Sequence, residues 1–201
     1  MMKSILESIK DRRTYYQISN EKVLESAELE TLVQDIAKHV PSPFNMQSQR
    51  VILLENEEHT KFWNIVRETL RKIVNNPEKF KSTEEKIDTA FASGRATILY
   101  FDDTEVVEGY AAKMPDYAEN FRDWSRQANG MLQYAMWTTL ESVGYGANLQ
   151  HYNPVIDDEV KATWNIPASW RLVAQMPIGK PAGDPGSKEF MNIDDKVKIY
   201  K

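Results

Sequence analysis

The stretch QANGMLQYAMWTTL, residues 127–140, carries no charged side chain. If it is helical, apolar side chains surround most of the helical wheel; they are Met131, Leu132, Tyr134, Ala135, Met136, Trp137 and Leu140. A helix that is apolar nearly all round is buried, either at the centre of a domain or in a contact between subunits. In a chain of 201 residues we expect both, so this stretch predicts a central helix that also reaches a subunit interface.

The segments on both sides of this helix mix helical and strand patterns without a regular βαβ rhythm. Residues 26–40 have apolar side chains at helical spacing, with Ser26 as the predicted N-cap, and that helix must end before Pro41. Further helices are predicted over residues 2–11, 58–74 and 157–166 and after Asp103, and strands over residues 50–55, 95–101, 170–179 and 196–200. Several helices around a few separated strands indicate an α+β fold.

The composition excludes several classes of function. The chain contains no cysteine, which removes thiol nucleophiles, disulfides, iron–sulfur clusters and cysteine zinc sites. Its three histidines, His39, His59 and His151, share no metal-ligand spacing, so we predict no metal. The net charge of -5 disfavours a nucleic-acid partner, and no apolar run approaches the roughly 20 residues of a membrane span. Because the start is charged and has no apolar signal-peptide core, we expect a cytoplasmic protein.

An anion site is predicted at the end of the first helix. Arg12, Arg13 and Thr14 stand side by side there, although the chain as a whole is acidic. Guanidinium groups and a hydroxyl suit phosphate oxygens, whereas chance placement on a helix surface and pairing of Arg13 with Glu7 or Asp11 are the alternatives. Neither a P-loop nor a GxGxxG motif occurs, so if the chain is an enzyme we expect its chemistry in a bound organic cofactor.

The loop PSPFNMQSQR, residues 41–50, is rich in neutral side chains that form hydrogen bonds. They are Ser42, Asn45, Gln47, Ser48 and Gln49. Two prolines stiffen the loop, and amide groups both donate and accept, which suits the edge of a flavin ring. An ordinary turn between a helix and a strand is the alternative interpretation.

With RRT at residues 12–14 and PSPFNMQSQ at residues 41–49, the chain resembles the FMN-dependent nitroreductase family. Residues 120–156 and 164–181 are most similar to a small subgroup related to the yeast fatty-acid-repression protein and to bacterial stress-induced nitroreductases. The resemblance implies a single FMN-binding domain over residues 1–201. It also implies a few-stranded, mainly antiparallel sheet surrounded by helices, in an obligate homodimer.

The resemblance further implies a cofactor site drawn from separate parts of the chain. Its residues would be Arg12, Arg13, Thr14, Tyr16, Ser42, Pro43, Phe44, Asn45, Gln47, Leu149, Gln150, His151 and Lys180. Residues 12–14 and Lys180 would bind the FMN phosphate, the loop would face the flavin, and residues 149–151 would lie near its N5 and O4 atoms. Phe121 and Trp124 would contact an aromatic substrate, with simple interface packing as the alternative.

This chain departs from larger family members at two places. They often carry a lysine where this chain has Tyr16, and a Glu-Gly pair where it has His151 and Tyr152. His151 is either a structural residue or a proton donor, and Lys180 is either a phosphate ligand or a solvated loop lysine.

The activity that the resemblance implies is that of an FMN-dependent oxidoreductase. Hydride would pass from NADH or NADPH to flavin N5, and electrons would then pass to a nitroaromatic, a quinone or a similar acceptor. No side chain is required as a catalytic acid or base. The alternatives are a flavin-binding regulatory protein of a lipid or stress response, with incidental reductase activity, and an interaction module without a cofactor.

Overall fold

Antiparallel strands form the centre of the fold, which a computed structural model describes over residues 3–201. The strands are β1 (Ile18–Ser19), β2 (Gln49–Glu55), β3 (Ala96–Asp103), β4 (Gly146–Ala147) and β5 (Trp170–Pro181). Their order is β1-β5-β3-β2, and β4 pairs with β5. Each of these pairs is antiparallel, which confirms the predicted α+β fold with a mainly antiparallel sheet.

Helices cover both faces of the sheet. They are α1 (Ile5–Asp11), α2 (Ser26–His39), α3 (Asn56–Val74), α4 (Pro77–Ala90), α5 (Thr104–Lys113), α6 (Ala118–Ser142), α7 (Asp157–Trp164) and α8 (Ile193–Lys196). The first predicted helix was expected to begin at Met2, which lies outside the described residues. Within residues 3–201, no helix has the length and apolar character needed to cross a membrane.

The strand β3 holds the two halves of the core together. All of its residues are buried, and successive side chains of a strand point to opposite faces. Leu99 and Phe101 pack with Trp63 in a cluster that α3, α4 and α7 cover. Ile98 and Tyr100 pack with residues of α2 and α6 on the other face. A strand buried on both faces explains why residues 98–101, ILYF, form a continuous apolar run.

The charge-free stretch forms the second half of the 25-residue helix α6. Leu132, Met136 and Leu140 are buried in the protomer, where they pack with the cluster on the α2 side of the sheet. Met131 and Tyr134, by contrast, are each 45% exposed. The prediction of a central helix is therefore confirmed, and the residues available for a subunit contact are Met131 and Tyr134 and not Leu132.

Two segments differ from the predictions. The sequence KVKIY at residues 196–200 was predicted as a strand, but it is the last turn of α8 followed by an extended tail. Its alternating pattern is that of a strand, yet no other segment of residues 3–201 lies beside it to form a ladder. Helix α4 was not predicted, although Asn76 caps it and Pro77 occupies its first turn, as is common at helix starts.

The start of α2 lies one residue away from its predicted cap. Glu25, and not Ser26, is the N-cap, and the Glu28 carboxylate accepts from its backbone N–H at 2.9 Å. The Ser26 hydroxyl instead donates to Glu55 at the end of β2, at 3.0 Å. The Ser26 side chain therefore contacts a neighbouring strand and does not cap its own helix.

His59 is a buried histidine with both ring nitrogens close to a hydrogen-bonding partner. The Nε2 atom of His59 lies 3.2 Å from the Ala92 carbonyl, which can only accept, and its Nδ1 atom lies 2.8 Å from the Thr97 hydroxyl. The Thr97 hydroxyl also accepts from the indole N–H of Trp63, at 2.9 Å. Burial is the main cause that lowers the pKa of His59 below its ordinary value of 6.5. The neutral imidazole is thus the form that the folded state favours.

We expect the free energy of unfolding to fall as the pH drops below about 6.5. Above that value, His59 is neutral in both states; below it, the unfolded chain takes up a proton that the folded chain resists. Melting temperatures of the wild type and of His59→Gln between pH 7.5 and 5 test this. The variant should be less stable at pH 7.5 but lose less stability on acidification, and equal losses would contradict the prediction.

Candidate functional site

The first group of predicted site residues lies beside β4. Thr14 forms a parallel bridge with Ala147, and the Tyr15 N–H donates to the Ala147 carbonyl at 2.9 Å. β4 in turn pairs with β5, where Gly146 faces Gly179, one residue before Lys180. The structure therefore brings together residues 12–16, the segment that follows β4 and the end of β5.

A glycine permits the close approach of the strands at this place. A Cβ atom at Gly179 would collide with the backbone carbonyl of Ser19, which belongs to β1. Only glycine lets β1 pair with β5 directly beside Lys180. The Lys180 ammonium is half exposed and forms an ion pair with Glu21.

The two arginines have no carboxylate partner within residues 3–201. The Arg12 guanidinium lies 4.4 Å from the centroid of the Trp137 ring, in a cation–π contact. Arg13 donates to the Pro185 carbonyl at 3.4 Å. The alternative that Arg13 pairs with Glu7 or Asp11 is not observed, since Glu7 caps the start of α1 and Asp11 pairs with Lys3. Most of the guanidinium donors of Arg12 and Arg13 are thus available for an anion.

The segment 149–151 is fixed along the edge of β5. Gln150 and Gln175 exchange two backbone hydrogen bonds, of 2.7 and 2.9 Å. Leu149 and Gln150 are half-buried, whereas His151 is exposed. Tyr152 lies edge-on to Trp63 and Phe91, and burial, followed by the proximity of Tyr16, raises the pKa of Tyr152 to about 12. Tyr152 is therefore neutral at physiological pH.

Lys86 is a cation beside this group that the sequence predictions missed. Its Nζ atom lies 5.4 Å from the centroid of the Tyr16 ring and 5.8 Å from that of Phe91. It belongs to α4, the helix that was not predicted, so its neighbours could not be inferred. Lys86 supplies positive charge next to Tyr16.

The loop at residues 41–48 is strained and organised by its own contacts. Phe44, Asn45 and Gln47 have φ angles of 51°, 55° and 49°, in the left-handed region that side chains rarely adopt. The Ser42 hydroxyl accepts from the Gln47 N–H at 2.9 Å. The Asn45 side chain is exposed. Such strain persists only where surrounding contacts hold it, and it is common at ligand-binding loops.

Arg50 stabilises this loop through hydrogen bonds, and the sequence predictions did not identify Arg50 as a site residue. Its guanidinium donates to the carbonyls of Gln47 and Gln49, at 2.6 and 3.0 Å, and to the Asp103 carboxylate at 2.9 Å. The same group lies 5.6 Å from the centroid of the Trp170 ring. Arg50 thus connects the loop to the ends of two strands.

Aromatic side chains support the loop on the side of α6. The Phe44 ring is 62% exposed and stacks on Trp124, with ring centroids 6.3 Å apart. Phe121 lies 5.4 Å from Phe44, but its own side chain has no exposed surface. In this conformation Phe121 supports Phe44 and Trp124 from behind and does not itself reach a ligand.

The two groups lie at opposite ends of the sheet. In β4, Ala147 pairs with Ile178 of β5, and Ile178 pairs with Ala96 at the start of β3. The loop, by contrast, leads into Gln49, which pairs with Asp102 near the end of β3. Six residues along a strand span about 20 Å. A single protomer therefore does not bring residues 42–47 to residues 12–16, whereas Gln150, which bridges Gln175 opposite Leu99, lies midway along β3.

A cavity at the start of α3 and the distribution of possible metal ligands also concern where a ligand could bind. A cavity of about 500 Å³ at the start of α3, lined by residues that include Asn56, His59 and Arg95, contains none of the predicted site residues. Among residues 3–201, no three His, Asp or Glu side chains cluster as metal ligands would.

An antiparallel sheet enclosed by helices is also the architecture of solved nitroreductases, a class of oxidoreductases. The profile of the Nitroreductase family matches residues 9–180, and the chain belongs to that family. This confirms the resemblance that the sequence predicted.

Individual relatives agree with this assignment. The chain is 33% identical to HBN1 of Saccharomyces cerevisiae over 194 residues, covering 96% of this chain and 95% of HBN1. It is 29% identical to the yeast nitroreductase FRM2 over 197 residues, covering 97% of this chain and 96% of FRM2. The structure of the nitroreductase CinD from Lactococcus lactis in complex with nicotinic acid matches with a TM-score of 0.91 and 33% identity, covering 98% of this chain and 100% of CinD.

Proposed function

We propose that the chain is an FMN-dependent oxidoreductase that passes hydride from NADH or NADPH, through the flavin, to nitroaromatic, quinone or similar acceptors. The observation that carries the proposal is a pair of guanidinium groups near β4, those of Arg12 and Arg13, that have no carboxylate partner among residues 3–201. Arg12, Arg13 and Thr14 lie there next to the segment 149–151. FMN has a phosphate at one end and a heterocycle with carbonyl groups at the other, so it matches both parts of that group.

The residues present fit FMN. Arg12, Arg13 and Thr14 would hold the phosphate, with Lys180 closing on it after exchanging its contact with Glu21. The backbone of residues 149–151 would lie along the flavin ring, and Lys86 would offset negative charge that develops on the ring during reduction. We propose that residues 1–201 form one domain for this purpose.

When bound, the flavin would accept hydride and donate electrons. The protein therefore has to bind the flavin, orient it and shield it. Tyr152, with its pKa of about 12, gives up no proton at neutral pH. His151 is exposed and close to solvent, which can deliver protons itself. We therefore propose no catalytic acid or base on the chain.

An aromatic acceptor fits the exposed faces of Phe44 and Trp124. These rings stack at an interplanar angle of 29° and leave Phe44 largely exposed. CinD, at 33% identity, has been solved with chloramphenicol and with 4-nitrophenol, both of which carry a nitroaromatic ring. This supports small aromatic acceptors for the present chain, in turn with the nicotinamide on the same flavin face.

A homodimer would complete the site. The loop at residues 42–47 lies about 20 Å along the sheet from residues 12–16, and we propose that a second copy supplies it. Apolar side chains that one protomer leaves exposed are available for that contact; they include Ile5, Leu6, Met131, Tyr134, Phe190, Met191, Ile199 and Tyr200. Surface of this kind is typical of obligate dimers. The cytoplasmic location stays a prediction.

A second function rests on the predicted resemblance of the chain to a fatty-acid-repression protein and to stress-induced nitroreductases. This second candidate is a flavin-binding regulator of a lipid or stress response whose reductase activity is incidental. Both functions need the same FMN site, so turnover separates them.

The visible absorption spectrum of the pure protein is the first experiment, followed by steady-state turnover with NADH or NADPH and 4-nitrophenol or a quinone. Flavin bands and sustained turnover support the enzyme. Bound flavin with negligible turnover favours the regulator. A colourless protein that ignores added FMN would overturn both and favour an interaction module.

The loop residue Asn45 provides a sharper test. We expect Asn45→Gly to weaken FMN binding by roughly 1–3 kcal/mol, because it deletes the amide that would pair with the flavin. Glycine tolerates the φ of 55°, so the loop keeps its shape.

Asn45→Leu also removes the amide but adds left-handed strain, so it should lose affinity and melt earlier. Fluorescence titration of the apoproteins with FMN, together with melting curves, separates the two effects. If Asn45→Gly keeps its affinity and only Asn45→Leu loses it, Asn45 is a turn residue without a ligand contact.

A further inference from the structure

Asn148 is a fully buried amide that joins three separate segments of the chain. Its Nδ2 atom donates to the Tyr15 carbonyl at 2.8 Å and to the Ala90 carbonyl at 3.2 Å. Its Oδ1 atom accepts from the Gln150 side chain at 2.8 Å. Both amide protons and one carbonyl lone pair are thus used within the protein, and the side chain has no exposed surface.

Each of these three segments carries a proposed FMN residue. Tyr15 directly follows Thr14 of the phosphate group, and Ala90 ends α4 one helical turn after Lys86. Gln150 belongs to the segment 149–151. One side chain therefore links the segments that carry the proposed phosphate ligands, the lysine proposed to lie beside the flavin ring and the amides proposed to lie along that ring.

We propose that Asn148 is the positioning residue of the FMN site, setting the spacing between residues 12–16, Lys86 and residues 149–151. The inference rests on the proposed function, since it assigns a role within that same site. Asn148 touches no ligand and acts through the backbone carbonyls and Gln150. Its amide is required because one group must donate twice and accept once, which neither aspartate nor leucine can do.

A second buried amide supports the same segment from the other side. Gln175 has no exposed surface; its Oε1 atom accepts from the Tyr152 N–H at 2.8 Å, and its Nε2 atom donates to Asn153 at 3.2 Å. Gln175 holds only residues 152 and 153 with its side chain, whereas Asn148 spans all three parts of the site. Replacing Asn148 leaves the Tyr15 and Ala90 carbonyls without this donor, and it leaves the Gln150 side chain without this acceptor.

The test compares Asn148→Ala with Asn129→Ala. Asn129 is a matched control because it is 1% exposed and donates to a backbone carbonyl, that of Phe101, at 2.9 Å, away from β4. Both variants should lose thermal stability. Only Asn148→Ala should raise the Kd for FMN, by about tenfold or more, and shift the flavin absorption bands and midpoint potential of the protein that is loaded at high FMN.

The remaining outcomes separate this inference from the proposed function. If the wild type binds FMN and Asn148→Ala matches Asn129→Ala in Kd, spectrum and potential, the positioning role is overturned and the proposed function stands. If the wild type does not bind FMN, both are overturned. If Asn148→Ala fails to fold, Asn148→Ser is compared with Asn129→Ala in the same way. Serine keeps one donor, so the expected rise in the Kd for FMN is smaller.

Discussion

Met131→Glu is expected to produce a folded monomer that has lost its flavin. Met131 is 45% exposed in the protomer, on the face of α6 that also presents Tyr134. In a dimer that covers this face, the new carboxylate would be buried without a partner, at a cost of several kcal/mol. Because the loop at residues 42–47 would come from the second copy, losing the dimer removes half of the cofactor site, and the two events should be linked.

Two comparisons make this experiment decisive. Leu132→Glu changes the neighbouring residue, but Leu132 is 1% exposed within the protomer core, so that variant should unfold instead of dissociating. Ile73→Glu makes the same change at an apolar residue of α3 that is 58% exposed, and it should remain a dimer with bound flavin. Sedimentation velocity, circular dichroism and flavin content per chain are measured for each. A Met131→Glu dimer that keeps its flavin would show that α6 is not at the interface.

The sequence predicted the elements whose signals are local. The β3 region appears as a buried apolar run and α6 as a charge-free helix, and both patterns arise from the period of the element itself. The wheel of α6 did not indicate which apolar residues face the core. Met131 and Leu132 are adjacent and equally apolar, and the packing of α2 and β3 alone decides that Leu132 is the one buried.

The errors have the same cause. KVKIY has the alternating pattern of a strand. A strand also needs a neighbouring segment to pair with, and the position of that segment depends on the tertiary structure. Lys86, Arg50 and Asn148 were missed because their importance lies in contacts with distant segments. By contrast, residues 12–14 and 41–50 carry recognisable side-chain chemistry in short stretches. Their spatial separation, at opposite ends of β3, was not readable from the chain.

Arg12→Ala is expected to weaken FMN binding by about 1.5–3 kcal/mol, the range for charge-assisted hydrogen bonds. The Arg12 guanidinium has no carboxylate partner within residues 3–201 and is fixed only by its stacking on Trp137, so its donors are free for phosphate. Arg71→Ala is the matched control, since it removes the same charge from α3, where Arg71 pairs with Glu84. Arg12→Lys keeps the charge but loses the planar fork, so its affinity should be intermediate. Each apoprotein is titrated with FMN and with riboflavin, which lacks the phosphate. The Arg12 variants should lose affinity for FMN while binding riboflavin as the wild type does, and an equal loss for both flavins would place Arg12 away from the phosphate.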